Sequence, residues 1–95
     1  MNTNKTVIIT GASSGMGKAL AQAFVDAGAN VVINARSEAK LAAFVADNSA
    51  RQSQIKTVVG DIALKSTGAA LAATALAAFG RIDVLINNAG IFVPK

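Results

Sequence analysis

Four short runs rich in β-branched residues recur along the chain at near-constant intervals: Thr6–Thr10, Val31–Ala35, Ile55–Gly60 and Ile82–Asn87. Each has the length and the Val/Ile content of a strand. Three are largely continuous apolar runs rather than alternating ones, which suits strands covered on both faces, as in a parallel sheet. The intervals between them have helical periodicity. In Gly17–Ala27, Leu20, Phe24 and Ala27 share a face and Gly28 is placed to stop the helix. In Glu38–Asn48, Leu41, Phe44 and Val45 share a face and Ser37 is placed as N-cap. In Thr67–Phe79, Leu71, Ala72, Ala75, Leu76 and Phe79 form one stripe, with Ser66 placed to cap the start and Gly80 to end it. The order β-α-β-α-β-α-β with short connections leaves a parallel α/β sheet with right-handed crossovers as the expected architecture. No low-complexity linker or domain boundary interrupts the chain.

The residue inventory excludes several kinds of chemistry. The 95 residues contain no His, Cys, Tyr or Trp, so there is no Ser-His-Asp or Cys-His nucleophile system, no usual zinc ligand set and no disulfide framework. The net charge is +4, but Lys5, Lys18, Arg36, Lys40, Arg51, Lys56, Lys65, Arg81 and Lys95 are scattered with no interleaved aromatic residue to stack on bases, so no nucleic-acid partner is expected. Ala69–Phe79 is too short and Ala-rich to span a bilayer, which takes about 20 apolar residues. The amino-terminal stretch lacks the apolar core of a signal peptide. The expectation is a cytoplasmic protein with no membrane partner.

The first run leads directly into Thr10-Gly11-Ala12-Ser13-Ser14-Gly15-Met16-Gly17. Three glycines at a strand-to-helix turn allow a sharp turn, let backbone N–H groups approach an anion, and aim a helix N-terminus at it. The same glycines would also serve a tight turn with close helix packing. The phosphate loop Gly-x-x-x-x-Gly-Lys-Ser/Thr does not fit, since its first glycine falls on Ala12 and its hydroxyl residue on Ala19. The dinucleotide spacing Gly-x-Gly-x-x-Gly fails as well. The spacing present, Thr-Gly-x-x-x-Gly-x-Gly, resembles that of the short-chain dehydrogenase/reductase family.

Three further segments agree with that resemblance. After the second run comes Asn34-Ala35-Arg36-Ser37. An acid at the end of this strand in dinucleotide folds accepts from the adenosine ribose and favours NAD, whereas a nearby Arg accommodates a 2′-phosphate. Ala35 stands in the acid position and Arg36 follows, which indicates NADP rather than NAD; the bland alternative is an ordinary surface Arg at a helix start. Gly60-Asp61-Ile62 resembles the family's Asp-plus-aliphatic pair, whose carboxylate and following N–H meet the adenine edge. Taken alone, Asp61 reads as a turn residue. The fourth run ends in Asn87-Asn88-Ala89-Gly90, similar to the family's Asn-Asn-Ala-Gly motif, in which Ala and Gly let the backbone lie against the cofactor.

The resemblance extends from about Lys5 to Phe92 and implies a Rossmann-like parallel sheet of order 3-2-1-4 with flanking helices, incomplete relative to the family. It implies cofactor-binding roles for Gly11, Ser13, Ser14, Met16, Gly17, Arg36, Ser37, Asp61, Ile62, Asn88, Ala89 and Gly90. The expectation for 1–95 is a dinucleotide-binding half-domain truncated after the fourth strand. Family members carry their Ser and Tyr-x-x-x-Lys catalytic residues further on, so no catalytic residue transfers to this chain, and the 95 residues alone are expected to be inactive. The implied function is the NADP(H)-binding portion of an oxidoreductase that passes hydride between nicotinamide and a small carbonyl compound or secondary alcohol, the substrate being met by the missing C-terminal part and the whole being a homo-oligomer. The alternative is a stand-alone nucleotide-binding module without catalysis. The fourth strand is expected to be an uncovered apolar edge prone to association.

Overall fold

In the computed structural model, which describes residues 5–12 and 15–88, all four β-branched runs are strands. They are β1 (Thr6–Thr10), β2 (Asn30–Ala35), β3 (Ile55–Val59) and β4 (Val84–Asn87), alternating with helices α1 (Gly15–Asp26), α2 (Glu38–Asp47) and α3 (Lys65–Phe79). A short 3-10 segment, Ser49–Gln54, joins α2 to β3. The sheet is parallel throughout with order β3-β2-β1-β4, as expected.

Alternation along the strands builds two apolar layers. Val7, Ile9, Val31, Ile33, Ala35 and Ile55 face one side, where Ala21 and Val25 of α1 and Leu41 and Phe44 of α2 cover them. Ile8 and Val32 face the other side, under Leu71 and Ala75 of α3. Helices α1 and α2 thus lie on one face and α3 on the opposite one, because the path from β3 back past β2 and β1 to β4 reverses direction across the sheet. Burial on both faces holds for β1, which is buried throughout, and for β2 from Val31 on. It does not hold for β4, where Val84, Leu85 and Asn87 are exposed.

Three local expectations are corrected. The buried stripe of α1 is Gly17, Ala21 and Val25 rather than Leu20, Phe24 and Ala27; small residues face the sheet so that the helix approaches closely, while Leu20 and Phe24 flank the core and Ala27 is exposed. In α3 the stripe includes Leu71 and Ala75, but Leu76 is 53% exposed. Ser66 is not a cap, because α3 starts one residue before it and Leu64 takes the N-cap position without a side-chain bond. The chain has already turned at Asp61, whose carboxylate accepts from the N–H of Ala63 at 2.9 Å and whose carbonyl accepts from that of Leu64 at 2.9 Å.

The start of α2 and the end of α1 are as the sequence indicates. Ser37 caps α2, its hydroxyl accepting from the N–H of Lys40 at 3.2 Å. Gly28 (φ +91°) and Ala29 close α1, donating to Val25 O and Phe24 O respectively, the double bond of a Schellman turn. Carbonyls at this end also accept from side chains of the 3-10 segment: Arg51 Nη1 reaches Val25 O at 2.9 Å and Gln54 Nε2 reaches Ala29 O at 2.8 Å. β4 begins at Val84 rather than Ile82 because Asp83 is engaged at the base of the sheet. Its carboxylate accepts from the N–H of Thr6 at 2.8 Å and from both arms of the Arg81 guanidinium, and its own N–H donates to Thr6 O. Among the described residues no helix is long and apolar enough to cross a membrane.

Candidate functional site

On the face that α3 covers, three of the four residues in one row of the sheet near the carboxyl ends of the strands are polar. Strand register places Val58, Asn34, Thr10 and Asn87 side by side across β3, β2, β1 and β4. Thr10 and Asn34 are 2% and 1% exposed, so their polar groups need partners inside the protein. The Thr10 hydroxyl donates to Asn87 Oδ1 at 2.9 Å, tying β1 to β4. Asn34 Nδ2 donates to the carbonyls of Val58 at 3.1 Å and Gly60 at 3.0 Å, tying β2 to the end of β3.

One step beyond this row the connecting turns are joined to one another. The N–H of Ala12, in the turn after β1, donates to Asn34 O at 2.9 Å, and the N–H of Gly60 donates to Ala35 O at 3.0 Å. Asn88 Nδ2 donates to Gly11 O at 3.2 Å. The turns after β1, β2 and β3 and the end of β4 therefore form one hydrogen-bonded rim at the carboxyl edge of the sheet. This is the edge at which open α/β sheets bind their ligands, where crossovers leave neighbouring strands in opposite directions.

Two glycines of the turn after β1 depend on the conformational freedom that a missing side chain gives. Gly11 (φ +67°) and Gly15 (φ +57°) both adopt the left-handed conformation that other residues resist. A Cβ at Gly15 would meet nothing within 4 Å, so the backbone there is open on its outer side. A Cβ at Gly17 would instead collide with Gly11 O and stand 2.8 Å from Asn88 Nδ2, so this buried glycine seats α1 against the strand ends. Met16 is 67% exposed, and the first turn of α1 carries no acidic residue. Ser13, Ser14, Ala89 and Gly90 lie outside the described residues.

At the end of β2, Ala35 is buried with no acidic group, Arg36 is exposed, and half-buried Ser37 starts α2. Neither of the two ion pairs among the described residues, Arg51–Asp26 and Arg81–Asp83, involves Arg36. Gly60 follows β3 with its N–H on Ala35, which sets the β2 and β3 turns side by side. One carboxylate oxygen of Asp61 is spent on the turn to Ala63, and Ile62 packs onto the apolar cluster beneath α3. Beside this rim, an apolar cavity of about 250 Å³ opens between α3 and the β1–β4 pair, lined by Ile8, Thr10, Ile62, Leu71, Leu85 and Asn87 among others. No metal-binding cluster is present among the described residues.

The structure thus brings Gly11, Gly17 and Asn88 into one contact and sets the turns bearing Arg36, Ser37, Asp61 and Ile62 next to each other. The residues that sequence reasoning passed over are Thr10 and Asn34. Their signal is a polar side chain inside the otherwise apolar Val31–Ala35 for Asn34, and a polar residue ending the first run and opening the glycine motif for Thr10.

Comparison with known proteins agrees with this geometry. The model of the short chain dehydrogenase family matches residues 5–95. A (2S)-[(R)-hydroxy(phenyl)methyl]succinyl-CoA dehydrogenase subunit of Thauera aromatica is 43% identical over 88 residues, covering 93% of this chain and 36% of that protein. Among solved structures, a metagenomic short-chain oxidoreductase in complex with NADP superposes with a TM-score of 0.81 at 38% identity, over 94% of this chain and 40% of the other. A short-chain dehydrogenase/reductase from Burkholderia phymatum in complex with NAD gives 0.81 at 34% identity, over 87% of this chain and 30% of the other. The chain therefore spans about a third of the length of the relatives it matches. It belongs to the short-chain dehydrogenase/reductase family of oxidoreductases and has the family's Rossmann cofactor-binding fold.

Proposed function

We propose that residues 1–95 hold the adenosine and pyrophosphate end of NADP(H) within an oxidoreductase acting on a small carbonyl compound or secondary alcohol. The single observation that carries the cofactor choice is the end of β2, where a buried Ala35 replaces an acid and an exposed Arg36 follows it. A guanidinium there offers paired donors to a 2′-phosphate, and no carboxylate stands at Ala35 to repel it.

The residues present fit such a group. The open backbone at Gly15 and the acid-free first turn of α1 leave a helix N-terminus available to a pyrophosphate. Gly11, Gly17 and Asn88 fix that turn against β4, with Met16 exposed above it. Arg36 and Ser37 would take the 2′-phosphate; the Ser37 hydroxyl accepts from Lys40 N and keeps its own proton for donation. Asp61 and the N–H of Ile62 would meet the adenine. Ser13, Ser14, Ala89 and Gly90 complete the proposed set from the motifs alone. When bound, the cofactor supplies a hydride donor or acceptor at its nicotinamide ring. No residue of this chain is assigned a catalytic role.

The test is to compare NADP(H) and NAD(H) binding before and after Arg36→Ala. Loss of a charge-assisted contact predicts about tenfold weaker NADP(H) binding with NAD(H) nearly unchanged. Equal weakening of both removes Arg36 from the 2′-phosphate site.

A further inference from the structure

We propose that Asn34, to which the resemblance assigns no role, is a positioning residue that holds the turn bearing Arg36 in register with the rest of the nucleotide site; this rests on the reading of Arg36 given above. Asn34 is 1% exposed in the second strand of the sheet, a position that Val or Ile would fill with better strand propensity and no cost of burying an amide. What the amide does instead is specific. Both side-chain bonds run to the end of β3, Nδ2 donating to Val58 O and to Gly60 O. Its backbone carbonyl accepts from Ala12 in the glycine turn, and its chain neighbour Ala35 accepts from the N–H of Gly60. One residue therefore joins the turn after β1, the turn after β2 and the turn after β3. Arg36 itself is exposed and begins two positions along from Asn34, so its placement depends on how firmly the end of β2 is held.

Removing the two side-chain donors leaves the carbonyls of Val58 and Gly60 without them and frees the β2 end to shift relative to β3. A shift there alters the grip on a 2′-phosphate selectively, whereas a general loss of stability lowers binding of every nucleotide by the same factor. The ratio of two affinities separates the two cases. Calorimetry on the chain with 2′,5′-ADP and 5′-ADP as probes gives the parent ratio, and Asn34→Leu and Asn34→Asp, similar in volume but without the amide donors, give the variant ratios.

The preference for 2′,5′-ADP is expected to fall roughly fivefold in both variants, the worth of about one net hydrogen bond. Asn34→Thr, which keeps one donor and suits a strand, covers the case in which the other two do not fold, and is expected to fall between parent and Leu. A parent that discriminates together with folded variants that keep its ratio overturns the proposal and leaves the function of Arg36 standing. A parent that binds both nucleotides equally overturns that function and this proposal with it.

Discussion

Asn88 donates through Nδ2 to the carbonyl oxygen of Gly11 at 3.2 Å, joining the end of β4 to the turn after β1 across 77 positions of sequence. The contact exists only because Gly17 has no side chain: its Cβ would stand 2.8 Å from the same Nδ2 and collide with Gly11 O. The phosphate turn, the helix it begins and the end of β4 are therefore one packing unit. The geometry of the turn depends on a helix residue that never needs to touch a ligand.

Two alanine substitutions separate packing from backbone conformation in this unit. Gly17→Ala forces backbone and Asn88 apart and is expected to cost about 1–3 kcal/mol, the usual range for overpacking. Gly15→Ala meets no neighbour but must hold φ near +57°, at a cost of about 1–2 kcal/mol. Urea unfolding measures both; Gly17→Ala is also expected to shift the Asn88 side-chain amide resonances, which Gly15→Ala leaves in place.

The corrected face of α3 gives a second prediction. Leu71 is 3% exposed and Leu76 is 53% exposed. Leu71→Ala is expected to cost about 2–4 kcal/mol through lost burial and a cavity under the helix. Leu76→Ala is expected to stay within about 0.5 kcal/mol. Similar losses at both positions would restore the wider stripe read from periodicity.

Asp83 supplies a pH dependence at the opposite end of the sheet. Hydrogen bonds from the Arg81 guanidinium and then from the N–H of Thr6 hold its carboxyl below the usual carboxylate value, and the same pairing raises Arg81. A carboxyl lowered in the folded state stabilises the fold above its unfolded pKa of about 3.9, and that contribution disappears as pH falls through the lower folded value. Asp83→Asn should therefore be less stable than the parent at pH 6, with the gap narrowing below about pH 4. A gap that is constant between pH 6 and pH 3 would show that the charge of Asp83 does not contribute.

β4 presents Val84 and Leu85 at 36% and 64% exposure, with Ile82 at 40% just before it. Sedimentation of the 95-residue chain is expected to show concentration-dependent association that Leu85→Lys reduces, since charge on an edge strand opposes pairing with another chain. Association unchanged by Leu85→Lys would place the contact elsewhere.

Strand runs were legible because Val and Ile in short blocks carry a local signal: Thr6–Thr10 is a strand over the whole span read from sequence, and Ser37 and Gly80 stand at the helix ends where their chemistry suits them. What periodicity could not decide was which of two neighbouring stripes on α1 faces the sheet. Leu20 and Phe24 are the larger residues, but close approach over Gly11 selects Gly17, Ala21 and Val25. The start of α3 departs from the pattern because Asp61, not Ser66, makes the turn. Thr10 and Asn34 stand out in the sequence only as polar residues in apolar runs, because the strands that supply their partners, Val58, Gly60 and Asn87, are paired by the fold and not by spacing along the chain.

The affinity of the unaltered chain for NADPH against NADH reads the cofactor choice at Arg36 without any substitution. Titration followed by calorimetry is expected to give tighter binding of NADPH by about tenfold or more, as one charge-assisted contact to the 2′-phosphate requires. Equal affinity, or a preference for NADH, would rule out a 2′-phosphate site at Arg36.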